Sequence, residues 1–182
     1  DGAQVLYHYL TGGGNDLWFD FEKAYRQDRN IKYGVDMEIR GIQEAAKRVY
    51  AQTHKRSFSL KGADVLIGSR DVAPDGTIIN FDYFDEGPWG PATINWRGIG
   101  SFRIWTSADV TVDTKGDFTM QIAVHGVDRF NFDRGKTTYG IRDEDLGRLV
   151  VVGLAHNFWA LGTIERTVHF QAGGFALEVL SD

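Results

Sequence analysis

An α+β fold is predicted, with a twisted antiparallel sheet or partly open β-barrel and helices packed at one side. Three observations predict it. Apolar residues recur at helical spacing near the start of the chain and again beyond Asp36. From Ser57 onward the period drops to two. Glycine is abundant at 22 residues and proline scarce at 3, so corners are made by glycine between strands and at helix ends. A parallel α/β fold would need a helix between most strands, and the pattern has none there.

Gln4 to Leu10 carries apolar groups on a helical spacing and runs into Thr11-Gly12-Gly13-Gly14, where glycine closes a helix in the left-handed conformation. Between Asp36 and Thr53, residues Ile39, Ile42, Ala46, Val49 and Tyr50 share one face, while Glu38, Arg40, Glu44, Lys47 and Arg48 face away. Asp36 is placed to cap that helix, and His54-Lys55-Arg56 brings positive charge to its carboxyl end, where the helix dipole favours it.

The strands come next. Phe58 and Leu60, then Val65 and Ile67, then Ile79, Phe81 and Tyr83 alternate with small or polar neighbours. Asp75-Gly76 signals a turn before the 78–84 run, and Lys115-Gly116-Asp117 separates 109–113 from the alternation Phe118, Met120, Ile122, Val124, so both spots predict hairpins. Glu86-Gly87-Pro88-Trp89-Gly90-Pro91 reads as a loop.

Arg142 to Leu161 returns to helical spacing through Leu146, Leu149, Val150, Leu154, Phe158 and Leu161, with Asp143, Glu144 and Asp145 in the first turn and Gly162 at the end. Its apolar stretch from Leu149 to Leu161 reaches about two-thirds of the ~20 residues that span a bilayer and includes His156 and Asn157, so a buried core helix is expected and no transmembrane segment. Thr163 to Phe170 alternates as a strand, and Phe175, Leu177 and Val179 continue as a last one after Gly173-Gly174.

With 182 residues, 42% of them hydrophobic, the chain suits one core and one domain over 1–182. Its opening, DGAQVLYHYL, carries no signal peptide and fits the C-terminal part of a longer protein as well as it fits any isolated domain. A net charge of -5 with both signs scattered argues against a nucleic-acid partner, and the absence of cysteine removes disulfides and thiolate zinc sites from consideration.

Reactive groups are densest in His125-Gly126-Val127-Asp128-Arg129-Phe130-Asn131-Phe132-Asp133-Arg134-Gly135, where the best strand ends. Alternation places Asp128 beside Phe130 and Phe132, with Arg129, Asn131 and Asp133 on the other face unless a bulge joins the two acids. Two carboxylates with an arginine suit phosphoryl chemistry: the acids hold Mg²⁺ or accept a proton, and the cation offsets phosphate charge. Solvated turn charges are the plainer alternative. His156 and His169 have no metal-ligand spacing and read as packing residues.

Three stretches resemble the activity domain of colicin M-type antibacterial toxins: Val5-Leu6-Tyr7-His8-Tyr9-Leu10 with Gly12-Gly13-Gly14, the strand pair from about Ser101 to Val124, and Asp128 to Asp133 with Ile141 to Gly153. The resemblance implies an enzyme that cuts the lipid-linked peptidoglycan precursor lipid II between its prenyl chain and its pyrophosphate. It also implies a secreted or delivered effector acting in the target-cell periplasm, peripheral contact with the membrane surface, and an immunity protein as partner.

The signature of that family is an aspartate, any residue, a tyrosine and a second aspartate, followed by histidine and arginine. Asp128 matches the first acid; Phe130 stands in place of the tyrosine, Asn131 in place of the second aspartate, and Thr137 or Thr138 near the histidine-arginine position. The catalytic candidates are therefore Asp128, Asn131, Asp133 and Arg134, with Asp133 standing in for the missing acid and Arg134 or Arg142 for the missing cation. Asp128 and Asp133 are the candidate Mg²⁺ ligands, and His8, His125 and Arg142 the candidate substrate-binding residues. Two other functions remain open: binding of an envelope lipid, glycan or protein without turnover, and the same fold acting on a different substrate.

Overall fold

The computed structural model describes residues 2–67, 102–132, 137–138, 141–172 and 178–180. The turn at Asp75-Gly76, the 78–84 strand, the Glu86 to Pro91 loop and the start of the last strand at Phe175 and Leu177 lie outside the described residues.

The elements run α1 (Gly2–Thr11), β1 (Leu17–Trp18), α2 (Phe21–Gln27), α3 (Arg29–Thr53), β2 (Ser57–Lys61), β3 (Val65–Ile67), β4 (Phe102–Val112), β5 (Asp117–Phe130), β6 (Thr137–Thr138), β7 (Ile141–Arg142), α4 (Asp143–Val151), β8 (Phe158–Gln171) and β9 (Glu178–Leu180). The main sheet runs along the path β1-β8-β5-β4-β2, with β3 on β4 and β9 on β8, so it is open and the α+β class holds. It is mixed: β1 lies parallel to β8 (Leu17 opposite Ala160), whereas β2 is antiparallel to β4 (Ser57 opposite Thr111).

Two sequence expectations are corrected. The helix expected from Asp36 begins at Arg29, because Asp28 takes the capping role and accepts the Ile31 N–H on Oδ1 at 3.0 Å. Asp36 lies inside the helix, where it accepts the Tyr25 hydroxyl at 2.9 Å and pairs with Lys32 at 3.2 Å. The helix expected over Arg142 to Leu161 is α4 alone; it ends at Val151, and a turn then leads into β8. The positions Phe158, Ala160, Ile164, Val168 and Phe170 are buried on one face of that strand, and Leu154, expected in the core, is 64% exposed. His156 accordingly lies in the connection before β8 and not in a helix, while His169 is on a strand as expected.

The described residues group into two compact units, one drawn from 1–20, 66–102 and 127–162, the other from 21–65, 103–126 and 163–182. In the first, Val5, Tyr9, Ala155, Phe158 and Ala160 form the buried centre, with Leu17, Phe19, Phe130, Phe132, Leu149 and Val150 packed on it.

In the second unit, α3 buries Ile31, Val35, Ile39, Ile42 and Ala46, and the sheet buries alternate residues from Ile104 to Val112 and from Phe118 to Val124. Tyr50 of α3 meets the Phe118 ring edge-on at 5.5 Å, and Phe118 stacks on Phe170 at 4.8 Å, so helix and sheet share one aromatic seam. α2 is tied to β8 by Glu22, whose Oε2 accepts Arg166 Nη2 at 2.6 Å, and the Arg166 guanidinium also lies 5.2 Å from the Tyr25 ring. Burial alone would raise the Glu22 pKa, but the hydrogen bonds and charges of Arg166 and Arg26 outweigh it and hold the carboxyl below its ordinary value.

The Arg166 side chain keeps only 12% of its surface exposed. Glu22→Ala therefore strands a largely buried cation and is expected to lower unfolding free energy by about 2 kcal/mol, between the values for exposed and buried pairs. Urea denaturation checks this, and a change no larger than that of a surface substitution would show the pair to be energetically idle.

Candidate functional site

The first unit brings together segments that are far apart in sequence. Tyr9, at the end of α1, is fully buried. Its ring meets Phe130 at 5.5 Å and Phe132 at 5.0 Å, both edge-on. Its hydroxyl donates to the Leu146 carbonyl of α4 at 3.1 Å, and its own carbonyl accepts the His156 N–H at 3.0 Å. Burial raises the Tyr9 pKa, so the phenol stays a donor. Phe130 in turn stacks on Phe158 at 5.1 Å and touches Phe132 at 5.3 Å. The aromatic ring at the signature's tyrosine position is thus a structural anchor for the end of β5.

That anchoring places Asp128 and Asn131. Asp128 is half-buried on the face of β5 shared with Phe130, as alternation predicts, and Asn131 is exposed just past the strand end. Arg129 points to the opposite face, with its guanidinium 5.8 Å from the Trp159 ring. Asp133 and Arg134 lie outside the described residues.

The remaining candidates fall in three different settings. His8 is in the first unit: its Nε2–H donates to the Asn15 carbonyl at 2.7 Å and its ring meets Phe158 edge-on at 4.6 Å. It closes the glycine turn, which explains Gly12: a Cβ there would stand 2.6 Å from the His8 carbonyl oxygen and 2.7 Å from its ring. Arg142 pairs with Asp145 through Nε at 3.0 Å and Nη2 at 3.2 Å and with Glu144 at 3.3 Å. The Asp145 hydrogen bonds, then the charges of Asp145 and Glu144, raise its pKa further. Its guanidinium is engaged by the acids that open α4.

His125 belongs to the second unit. Its Nε2 lies 3.1 Å from Ser107 Oγ and its Nδ1 3.2 Å from Thr163 Oγ1, and its ring stacks on Trp105 at 5.3 Å. Burial lowers its pKa against the opposing charge of Glu165, so the neutral imidazole is favoured. The row Ser107, His125, Thr163 escaped the sequence reading because it crosses strands. Counting outward from the turn, where the Asp113 N–H donates to the Asp117 carbonyl, sets His125 opposite Trp105, and Ser107 is its diagonal neighbour. A cleft of about 640 Å³ lies in this same unit, lined by Glu22, Arg26, Asp109, Gln121, Glu165 and Arg166 among others. The signature residue Asp128 is in the other unit and does not line it.

No three histidine, aspartate or glutamate side chains converge among the described residues. Among the described residues, Asp128 is the one acid of the expected Mg²⁺ ligand pair, since Asp133 lies outside them. No helix among the described residues is long and apolar enough to cross a membrane.

Comparison with protein-family profiles and with curated protein sequences gives no match. Among solved structures, the chain is similar to PaeM, a colicin M-like bacteriocin produced by Pseudomonas aeruginosa, at 16% identity over 95% of this chain and 52% of that one, with a TM-score of 0.49. It is similar to the truncated bacteriocin syringacin M from Pseudomonas syringae pv. tomato DC3000 at 15% identity over 92% of this chain and 58% of that one, with a TM-score of 0.43. Pectocin M2 matches at 11% identity over 96% of this chain and 51% of that one, with a TM-score of 0.35. The chain spans between half and three-fifths of the length of these proteins.

Tyr9→Phe removes the hydroxyl's bond to the Leu146 carbonyl and is expected to cost about 1 kcal/mol, whereas Tyr9→Ala opens a cavity at ~3–5 kcal/mol; chemical denaturation separates the two. His125 has a folded pKa below its unfolded value, so its contribution is present above about pH 6.5 and is lost as pH falls through that value toward the folded one. Melting midpoints of the native chain should fall across that window relative to His125→Gln, and parallel curves would refute the buried neutral imidazole.

Proposed function

We propose that the chain is an antibacterial toxin domain that hydrolyses lipid II or a related lipid-linked pyrophosphate precursor of the bacterial cell wall, at a site built on Asp128. The observation that carries the reading is convergence. Tyr9 from the Val5 to Leu10 segment, Phe130 and Phe132 from the Asp128 segment, and Leu146 from α4 belong to the stretches that resemble colicin M-type activity domains, and they meet around one buried ring. A resemblance carried by unrelated surface loops would have no such reason to converge.

In this reading the Asp128 carboxylate accepts a proton from the water that attacks phosphorus. The bond from phosphorus to the prenyl oxygen breaks, and the proton taken up by Asp128 passes to that oxygen, so the alcohol leaves neutral. Asn131 donates its amide N–H to a phosphate oxygen, and Arg134 offsets the developing charge. Asp133 completes the acid pair and, with Asp128, would supply the ligands of a Mg²⁺ ion. His8 and Arg142, in the same unit as Asp128, are the candidates for substrate contact. The setting is the target-cell periplasm at the membrane surface, with an immunity protein protecting the producer.

A second reading, binding of an envelope lipid or glycan without turnover, is favoured by Phe130. Its ring is spent on Tyr9, Phe132 and Phe158, and it offers no hydroxyl to a substrate.

The test is release of pyrophosphorylated product from purified lipid II, with and without Mg²⁺. Asp128→Asn is expected to lower the rate at least about 100-fold with the melting midpoint unchanged. Binding of lipid II with no release by the native chain would replace the first reading with the second.

A further inference from the structure

The turn after α4 carries Val151, Val152 and Leu154, exposed to 85%, 65% and 64% of their surface. Large aliphatic side chains grouped in water on a protein surface mark a contact site more often than isolated ones do. The backbone beneath them is locked. Gly153 sits at φ +74°, the Leu154 N–H donates to the Leu149 carbonyl at 2.8 Å, and the Gly153 N–H donates to that of Val150 at 3.1 Å. This is the bonding pattern of a Schellman cap, which commonly folds the residue after glycine back onto the helix. Here Leu154 stays in solvent.

The amides point to the partner. The Val152 N–H donates to Arg148 at 3.1 Å and the Ala155 N–H to Leu149 at 3.2 Å, so every N–H from 152 to 155 is spent inside the turn. The bilayer core leaves both N–H and C=O groups without water, so a turn whose N–H groups are bonded suits the water-bearing interface rather than the core itself. A peptide partner adding as a strand would need those donors free. Charge is also ordered along α4: Asp143, Glu144 and Asp145 stand in its first turn and Arg148 in its last, where its side chain is 75% exposed and its Nη1 lies 3.3 Å from Asp145 Oδ1. The residue of α4 nearest the tip that carries charge is thus a cation, partly offset by Asp145, on the side where head-group phosphates would lie.

We propose that the Val151 to Leu154 turn is a lipid-insertion tip that seats the first unit on the interface of a phospholipid bilayer. Trp18 and Trp159, 70% and 47% exposed in the same unit, are of the type that settles at head-group level. The inference deepens the proposed function, on which the choice of a bacterial envelope rests. The lipid affinity itself does not depend on the chemistry at Asp128.

Co-sedimentation of the full chain with vesicles of phosphatidylcholine, alone or with phosphatidylglycerol, tests it. The native chain is expected to bind both, and the double change Val152→Ser with Leu154→Ser to weaken partitioning about tenfold or more, since two aliphatic groups lose their transfer free energy. Val152→Leu keeps the tip apolar and should keep binding. Met37→Ser removes an exposed side chain of the second unit and should leave binding unchanged.

Because the chain has no cysteine, Leu154→Cys carrying an environment-sensitive fluorophore should shift to the blue on vesicles, and Met37→Cys should not. No native binding to either vesicle, or equal losses from the tip and Met37 variants, overturns the inference. Cleavage of detergent-dispersed lipid II, measured alongside, separates the two ideas: the tip variants should retain it, and a native chain that binds vesicles but never cleaves defeats the proposed function alone.

Discussion

The first unit depends on one buried phenol. Tyr9 is fully buried, and its polar atoms are satisfied from opposite directions: the hydroxyl by Leu146 of α4, the carbonyl by the amide of His156 before β8. Both bonds replace water with a fixed partner, which removes the penalty that a buried polar group would otherwise carry. Around the ring, Phe130 and Phe132 approach edge-on, a geometry that places positive ring edges near negative faces. α1, the end of β5, α4 and the approach to β8 are thereby fixed by the same residue, the first three through its ring and hydroxyl and the last through its carbonyl. Asp128 and Asn131 inherit their positions from that arrangement, because the residues that flank them are the ones Tyr9 holds.

How much of this was legible in sequence varies with the range of the interaction. The face of α3 and the β4–β5 hairpin come from periods of 3.6 and 2 sustained over many residues, and both stand where expected. The stretch from Leu149 to Leu161 failed because it contains the end of a helix and the start of a strand. Leu154, Phe158 and Leu161 satisfy a helical spacing, yet Phe158 and Ala160 open an alternation that continues through Phe170. Gly153 was the available signal, since a left-handed glycine after a helical run ends the helix. The start of α3 failed for a smaller reason. The apolar spacing points to Asp36 as the cap, whereas the amide at the start of the helix is met by Asp28 and Asp36 is bonded to Tyr25. α2, with Phe21 and Ala24 as its buried residues, is too short to build a periodic signal.

The candidate site divides along the same line. Asp128 beside Phe130 was readable, since alternation along one strand fixes it. His8 and Arg142 were readable as polar residues near glycine or helix starts, but their partners were not: Asn15 takes the imidazole and Asp145 the guanidinium, each within a local turn. Their commitments are short-range and structural in character. Local hydrogen bonds of this kind compete directly with substrate for the same donors, so any role at the site would require the turn to open first.

The row through His125 shows why hydrogen-bond geometry alone does not define a catalytic group. A serine 3.1 Å from a histidine whose other nitrogen meets a hydroxyl has the outline of an activated nucleophile. Acyl transfer also needs donors aimed at the developing oxyanion. Ser107, His125 and Thr163 sit within β4, β5 and β8, three neighbouring strands of one sheet, where main-chain N–H groups are consumed by the ladder. The third member is threonine and not a carboxylate, so an imidazolium formed during attack would gain no hydrogen-bonded counter-charge, and burial opposes that charged form. The same geometry suits a cross-strand clamp: one neutral ring joins three strands and shelters under Trp105. The strand end at Asp128 differs in the feature that matters. β5 and its ladder end at Phe130, and Asn131 lies just past the strand end, where side chains are held by a rigid sheet without being part of its pairing.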